Sequence, residues 1–168
     1  MGQDAPRVSV VLPTYNREDI VGRSIRNVLD QTYADFELIV VDDASTDNTR
    51  EVVASFDDDR IRYVRREENG GPAAARNDGL DLSAGEIIAF QDSDDVWRET
   101  KLESQIDVFD ATDSTVGIVY TETRREIGGT RKTIPGRGVD PKEGNVGDSL
   151  FAHNFVPTPA AAVRAECF

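Results

Sequence analysis

The sequence predicts an α/β fold built on a mostly parallel sheet, and three observations predict it. Short apolar runs rich in Val and Ile recur at Val8–Leu12, Phe36–Val41, Ile61–Arg65 and Ile87–Phe90. These runs are continuous and bounded by turn residues, as expected of buried strands. Each is followed by a stretch with helical character, so strand and helix alternate four times through Ala111. Parallel strands need crossovers of that kind, and the connections are right-handed.

In chain order, VSVVL (Val8–Leu12) is a β-branched strand closed by Pro13-Thr14-Tyr15-Asn16. Glu18–Asp30 places Ile20, Val21, Ile25, Val28 and Leu29 in one apolar stripe, the mark of an amphipathic helix. FELIVV (Phe36–Val41) is a second strand ending in Asp42-Asp43, and Asn48–Phe56 reads as a helix capped by Ser45 or Asp47. Ile61–Arg65 is a short third strand, Glu67–Pro72 a turn, and Ala73–Leu82 a small-residue helix ended by Gly85. Ile87–Phe90 stops at Gln91 and gives way to Asp92-Ser93-Asp94-Asp95. Glu99–Ala111 sets Leu102, Ile106 and Phe109 on one helical face, and Val116–Thr121 is a further strand.

The alternation then breaks. Arg124–Ile134, with Gly128-Gly129 at its middle, reads as a hairpin or a mobile excursion, Pro135–Gly147 as a loop and Asp148–Asn154 as a short helix. Phe155–Arg164 reads as a strand that Pro157 and Pro159 confine to a sheet edge or an irregular path.

The 168 residues are enough for one domain with a substantial core. Net charge is −13, from 20 Asp and 12 Glu against 16 Arg and 3 Lys. That balance argues against nucleic acid as a partner, which needs a basic footprint. Acid spread along the whole chain suits solubility at high salt, where self-repulsion is screened. A lone cysteine, Cys167, fits a reducing, cytoplasmic setting, and the sole histidine, His153, cannot build a histidine metal site. No apolar run approaches the ~20 residues of a membrane span, and no signal-peptide pattern opens the sequence.

Three polar clusters follow strands: Thr14-Tyr15-Asn16, Asp42-Asp43 and Asp92-Ser93-Asp94. In a parallel sheet those strand ends share one edge, where ligands bind. Tyr15 could stack on a base, and Asp42 or Asp43 could accept hydrogen bonds from a base edge or a ribose hydroxyl. Taken alone, Asp42-Asp43 reads first as a helix-entry turn. Asp92-x-Asp94 could seat a hard divalent cation that bridges to phosphates, or could be an acidic cap before the next helix. Asn69-Gly70-Gly71 permits close backbone approach, and Arg76 could pair with an anion or with Asp78 or Glu67. Neither G-x-G-x-x-G nor a P-loop is present, so phosphate would be held through a metal and Asp92/Asp94.

Together these residues make the chain resemble the amino-terminal, nucleotide-binding half of a family 2 glycosyltransferase of the GT-A fold. The match runs from Val8 to about Lys101 through VSVVLPTYNR, DQTY with FELIVVDDASTDNT, NGGPAAARNDGL and GEIIAFQDSDDVW. From Val116 to Phe168 it is weaker. The resemblance implies a GT-A, Rossmann-like three-layer sandwich as a single, truncated domain over 1–168. Residues 8–111 would be the nucleotide-binding half and 112–168 the start of the acceptor side.

It also implies an inverting, metal-dependent transfer from a nucleotide-diphosphate sugar, UDP-sugar favoured, to a hydroxyl on a glycan, lipid-linked or protein acceptor. The implied donor-binding set is Pro13, Thr14, Tyr15, Asp42, Asp43, Asn69, Gly71, Arg76, Asp92 and Ser93, with Asp94 and Asp92 holding Mn2+ or Mg2+. Pro13 and Tyr15 would line the base pocket, with Asp43 on the nucleobase. Asn69 and Arg76 would approach the base, sugar or diphosphate, and Asp92 the ribose or sugar. The catalytic base is expected beyond Phe168, in a carboxylate pair that nothing here matches. The location implied is cytoplasmic, at the inner membrane surface if the full-length protein carries a tail. A non-catalytic nucleotide-sugar sensor or scaffold module is the alternative. A receiver domain is disfavoured by Pro13 after the first strand, and a nucleotidyltransferase by the lack of a Gly-rich basic loop there.

Overall fold

The computed structural model describes residues 5–127, 130–134, 144 and 155–168. A six-stranded sheet runs in the order β3 (Ile61–Arg65), β2 (Phe36–Asp42), β1 (Val8–Thr14), β4 (Ile87–Phe90), β8 (Ala161–Arg164), β5 (Ile118–Tyr120). The first four are mutually parallel, and β8 runs antiparallel to both neighbours. The remaining strands, β6 (Thr123–Ile127) and β7 (Thr130–Ile134), pair as the expected hairpin. Its Gly128-Gly129 centre lies outside the described residues, as do His153, nearly all of the expected 135–147 loop and the expected helix at 148–154.

Alternation along the strands sorts the core onto two faces. Val8, Val10 and Leu12 of β1 point to the face covered by α1 (Val21–Leu29), α2 (Thr49–Ala54) and α4 (Lys101–Ala111). Here Val21, Ile25 and Val28 of α1 meet Leu102, Ile106 and Phe109 of α4 in one buried cluster. On the opposite face Val11 packs beneath α3 (Gly71–Leu82), as do Ile39 and Val41. The result is a three-layer α/β/α sandwich. Its α3 layer sits close: a Cβ on Gly79 would come within 2.3 Å of Val11 Cγ1, so only glycine fits that contact.

Two expectations from sequence change. Phe155–Arg164 is not an edge strand, because Pro157 and Pro159 fall in and before a 3-10 turn (Thr158–Ala160). The proline-free Ala161–Arg164 keeps its backbone donors and pairs on both sides, between β4 and β5. The first strand also runs past Leu12 through Pro13. Gln91 N–H donates to Val11 O, so Val11 and, two residues on, Pro13 face β4. The β1–β4 register has ended by then, so the missing N–H of Pro13 costs no ladder bond.

Candidate functional site

The β1, β2 and β4 strands end together, and the loops that follow them build a cleft of about 570 Å3. It is lined by Pro13, Thr14, Tyr15, Asp43, Asn69, Gly71, Arg76, Asp92, Ser93 and Asp94, so nearly the whole sequence-derived set converges. Asn16, the last residue of the expected Thr14-Tyr15-Asn16 cluster, completes the lining with Arg17, Pro72 and Ala75, which sequence reasoning did not single out for that. Asn16 and Arg17 belong to the same PTYNR run as Tyr15, which was the available signal. Tyr15 is 44% exposed, leaving its ring free at the lip.

Asp42 stands apart. It is fully buried, absent from the lining, and its carboxylate accepts from the Tyr63 hydroxyl at 2.6 Å and the Ser45 amide at 2.8 Å. Successive residues of a strand point to opposite sides, so Asp42 ties β2 to β3 while the next residue, Asp43, faces the cleft. Burial and the Asp42 bond together raise the Tyr63 pKa, so this pair holds its proton on the phenol.

Asp43 is the best-held acid of the site. Its Oδ1 accepts from Arg66 Nη1 at 2.5 Å and Gly70 N at 3.0 Å, and its Oδ2 accepts from Gly71 N at 2.7 Å. Burial is the largest single influence and pushes its pKa up. The two amides and the guanidinium outweigh it, so the carboxyl lies below the ordinary carboxylate value. The glycines bear on this arrangement in two ways. Gly71 adopts φ +83°, in the left-handed region, and a Cβ on Gly70 would meet Arg66 Nη1 at 2.4 Å.

The first two loops are knit together. Asn16 N–H donates to Ser45 Oγ, and Asn16 Oδ1 accepts from Thr46 N. Arg17 N–H donates to Thr49 Oγ1, and Glu18 N–H to Asp47 Oδ2. Asn16 (φ 50°) and Ala44 (φ 64°) hold left-handed conformations in these loops. The N-cap of α2 is neither expected residue but Asn48, with no side-chain capping bond; Asp47, one residue earlier, accepts from Thr49 N, and Ser45 Oγ accepts from Asn16 N.

On the far wall, Arg76 pairs with Asp92 at 2.5 Å rather than with Asp78 or Glu67; Asp78 is taken by Arg66. Asp94 is exposed, lines the cleft and makes no side-chain bond among the described residues. Among those residues no cluster of three or more His, Cys, Asp or Glu could cage a metal. One free carboxylate and one shared with arginine still suit a hard cation that takes most of its ligands from phosphate and water. Thr14 Oγ1 and Arg76 Nε, both in lining residues, are buried without hydrogen-bond partners, so the cleft retains polar groups for a ligand to satisfy.

Comparison with known proteins agrees with this geometry. The family description "Glycosyl transferase family 2" matches residues 9–163. The Escherichia coli protein UDP-Glc:alpha-D-GlcNAc-diphosphoundecaprenol beta-1,3-glucosyltransferase WfgD is 50% identical over 99 residues, 59% of this chain and 39% of that protein. Among solved structures, Staphylococcus aureus TarS in complex with UDP-GlcNAc superposes with a TM-score of 0.75 at 26% identity, over 95% of this chain and 45% of that one. The mannosyltransferase PcManGT from Pyrobaculum calidifontis, in complex with GDP-Man and Mn2+, gives 0.63 at 32% identity, over 73% and 36%. The chain spans less than half the length of each of these three.

Proposed function

The chain belongs to glycosyl transferase family 2, and on that premise we propose that it forms the donor-binding part of an enzyme of sugar transfer. The donor is a nucleotide-diphosphate sugar, UDP-sugar first, the acceptor a hydroxyl, and the transfer inverts the anomeric carbon with a divalent cation bound. The observation that carries this reading is the convergence of Tyr15, Asp43, Arg76, Asp92 and Asp94 on one cleft at the carboxyl ends of β1, β2 and β4. UDP-GlcNAc bound to TarS and UDP-Glc in the name of WfgD favour uridine.

In this reading the exposed Tyr15 ring covers a face of the base. Asp43, kept ionised by Gly70, Gly71 and Arg66, accepts from the base edge with the lone pairs those donors leave. Asn69 and the Arg76 guanidinium lie beside the sugar and diphosphate, and Asp92 accepts from a ribose or sugar hydroxyl. Asp94, with Asp92, would hold Mn2+ or Mg2+; when bound, the cation offsets charge developing on the departing nucleoside diphosphate. The lipid-linked acceptor in the WfgD name favours that class over a free glycan or protein, and with such an acceptor the transfer would take place at a membrane surface, the cytoplasmic one in this reading.

The test is calorimetry of UDP and of uridine with and without Mn2+. UDP should bind more tightly with Mn2+. EDTA and Asp94→Ala should each abolish that gain, while leaving uridine binding intact. UDP binding that neither change diminishes refutes the metal role, and no binding of either ligand refutes the site.

A further inference from the structure

We propose that helix α1 is the positioning element for Asp94, acting through Ser24 and Arg23; this rests on the donor-binding reading above. Asp92 is oriented by its side chain, through Arg76. Asp94 has no such bond among the described residues, so its carboxylate points where its backbone sends it. That backbone is held on both sides of the residue from one helix. Ser24 Oγ donates to Ser93 O at 2.7 Å, and Arg23 Nη2 donates to Asp94 O at 3.2 Å. Two adjacent residues of α1 thus fix the two carbonyls that flank the metal-side aspartate.

The arrangement continues along the helix. Asn27 donates to Trp97 O at 2.8 Å and accepts from Trp97 N, and Gln31 donates to Arg98 O at 2.9 Å and accepts from Leu102 N at 3.0 Å. Ser24 and Asn27 of α1, with Gln31 two residues past its end, form a polar stripe beside the apolar one that enters the core. All of these bonds end on main chain, so they fix the path of residues 93–102 whatever its side chains are.

Ser24 carries the most weight, because it is fully buried and no water can replace its hydroxyl. Within the turn itself, Asp95 N–H donates to Asp92 O, and Gln91 Nε2 donates to Asp95 O. Helix α1 also begins just after the Tyr15–Arg17 loop, so a single rigid element spans the two walls of the cleft.

The experiment measures UDP affinity with Mn2+, and uridine affinity without it, for wild type, Ser24→Ala and Arg23→Gln, each repeated on an Asp94→Ala background. Ser24→Ala should weaken the Mn2+-dependent UDP affinity by about tenfold, the scale of one buried hydrogen bond. Arg23→Gln, at an exposed position where the core is untouched, should weaken it by about two- to fivefold. Uridine affinity should stay within about twofold, and neither change should cost anything further once Asp94 is gone, as coupling through a shared partner requires. Losses that persist on the Asp94→Ala background, that extend equally to uridine, or that fail to occur overturn the proposal. Wild type that gains nothing from Mn2+ overturns the metal role in the functional reading itself and needs no variant to reveal it.

Discussion

Replacing Asp43 with Asn tests how the cleft is assembled, because the carboxylate that lines the cleft also holds Gly70, Gly71 and Arg66 in place. Asn keeps one acceptor oxygen, which can continue to serve Arg66 and Gly70. Its amide group must then face the Gly71 N–H, donor against donor, where the native distance is 2.7 Å. One bond to an ionised acceptor is lost and the two from Arg66 and Gly70 are downgraded to a neutral one, which together cost roughly 2–4 kcal/mol. Arg66 retains Asp78, so no arginine is left unpaired. For a chain of this length the cost corresponds to a melting temperature lower by about 5–15 °C.

The pH dependence sharpens the test. The folded pKa of Asp43 is depressed, so its contribution is fully present above the unfolded value of about 3.9 and is lost as pH falls through the folded value. Urea denaturation should therefore show a constant gap between wild type and Asp43→Asn from about pH 5 to pH 8, narrowing below about pH 4. A variant within about 0.5 kcal/mol of wild type at pH 7, or a gap that does not narrow in acid, would refute this account of the carboxylate.

Three further outcomes follow from the fold and the charge. Gly79→Ala drives a methyl into Val11, where α3 meets β1, and should destabilise by about 1–3 kcal/mol in denaturant titration, with Ser83→Ala on the same helix as a milder control. Lys101 is buried and pushed down to about 7 by desolvation, opposed by the Trp97 ring at 3.8 Å and the Gln105 oxygen at 2.8 Å. Its folded pKa lies below the unfolded one, so wild type gains stability as pH rises from 7 towards 10.5, and the stability of Lys101→Met relative to wild type should fall over that interval. The net charge of −13 should make the melting temperature rise between dilute buffer and molar KCl; a flat or falling curve would remove the high-salt reading.

Much of this was legible in the sequence because it rests on short-range signals. Continuous Val/Ile runs fixed the four parallel strands, and the period of Val21, Ile25 and Val28 fixed the face of α1. The convergence of Tyr15, Asp43 and Asp94 followed from parallel strands sharing an edge. What escaped depended on partners far along the chain. Whether Asp42 or Asp43 faces the cleft turns on one residue of strand phase, which two adjacent aspartates conceal. The Arg76–Asp92 pair joins residues 16 apart across two elements, so a local search for its partner found only Asp78 and Glu67. Strand β8 was misplaced because Pro157 and Pro159 were counted inside it, when they end just before its first ladder residue. The polar stripe of α1 was visible as Ser24, Asn27 and Gln31, but its target, the main chain 67–71 residues away, carries no sequence signature.

The same distinction between local and global applies to charge. A chain at −13 seems a poor receptor for a diphosphate if the net figure is taken as the field at the site. The cleft has a different balance. Asp43 is matched by Arg66 and Asp92 by Arg76, leaving Asp94 and Arg17 as the lining charges without an ion pair among the described residues. At physiological ionic strength the Debye length is about 8 Å, so carboxylates on the far side of the molecule are screened while those lining the cleft are not. A diphosphate arriving with a divalent cation is close to neutral as a unit. In the proposed reading it would bring a positive centre to Asp94 and leave phosphate oxygens for the guanidinium groups of Arg76 and Arg17. Acidic composition and an anionic ligand are therefore compatible, provided a cation travels with the anion. On this argument removing the cation costs more than the bonds it makes, because it leaves Asp94 facing bare phosphate.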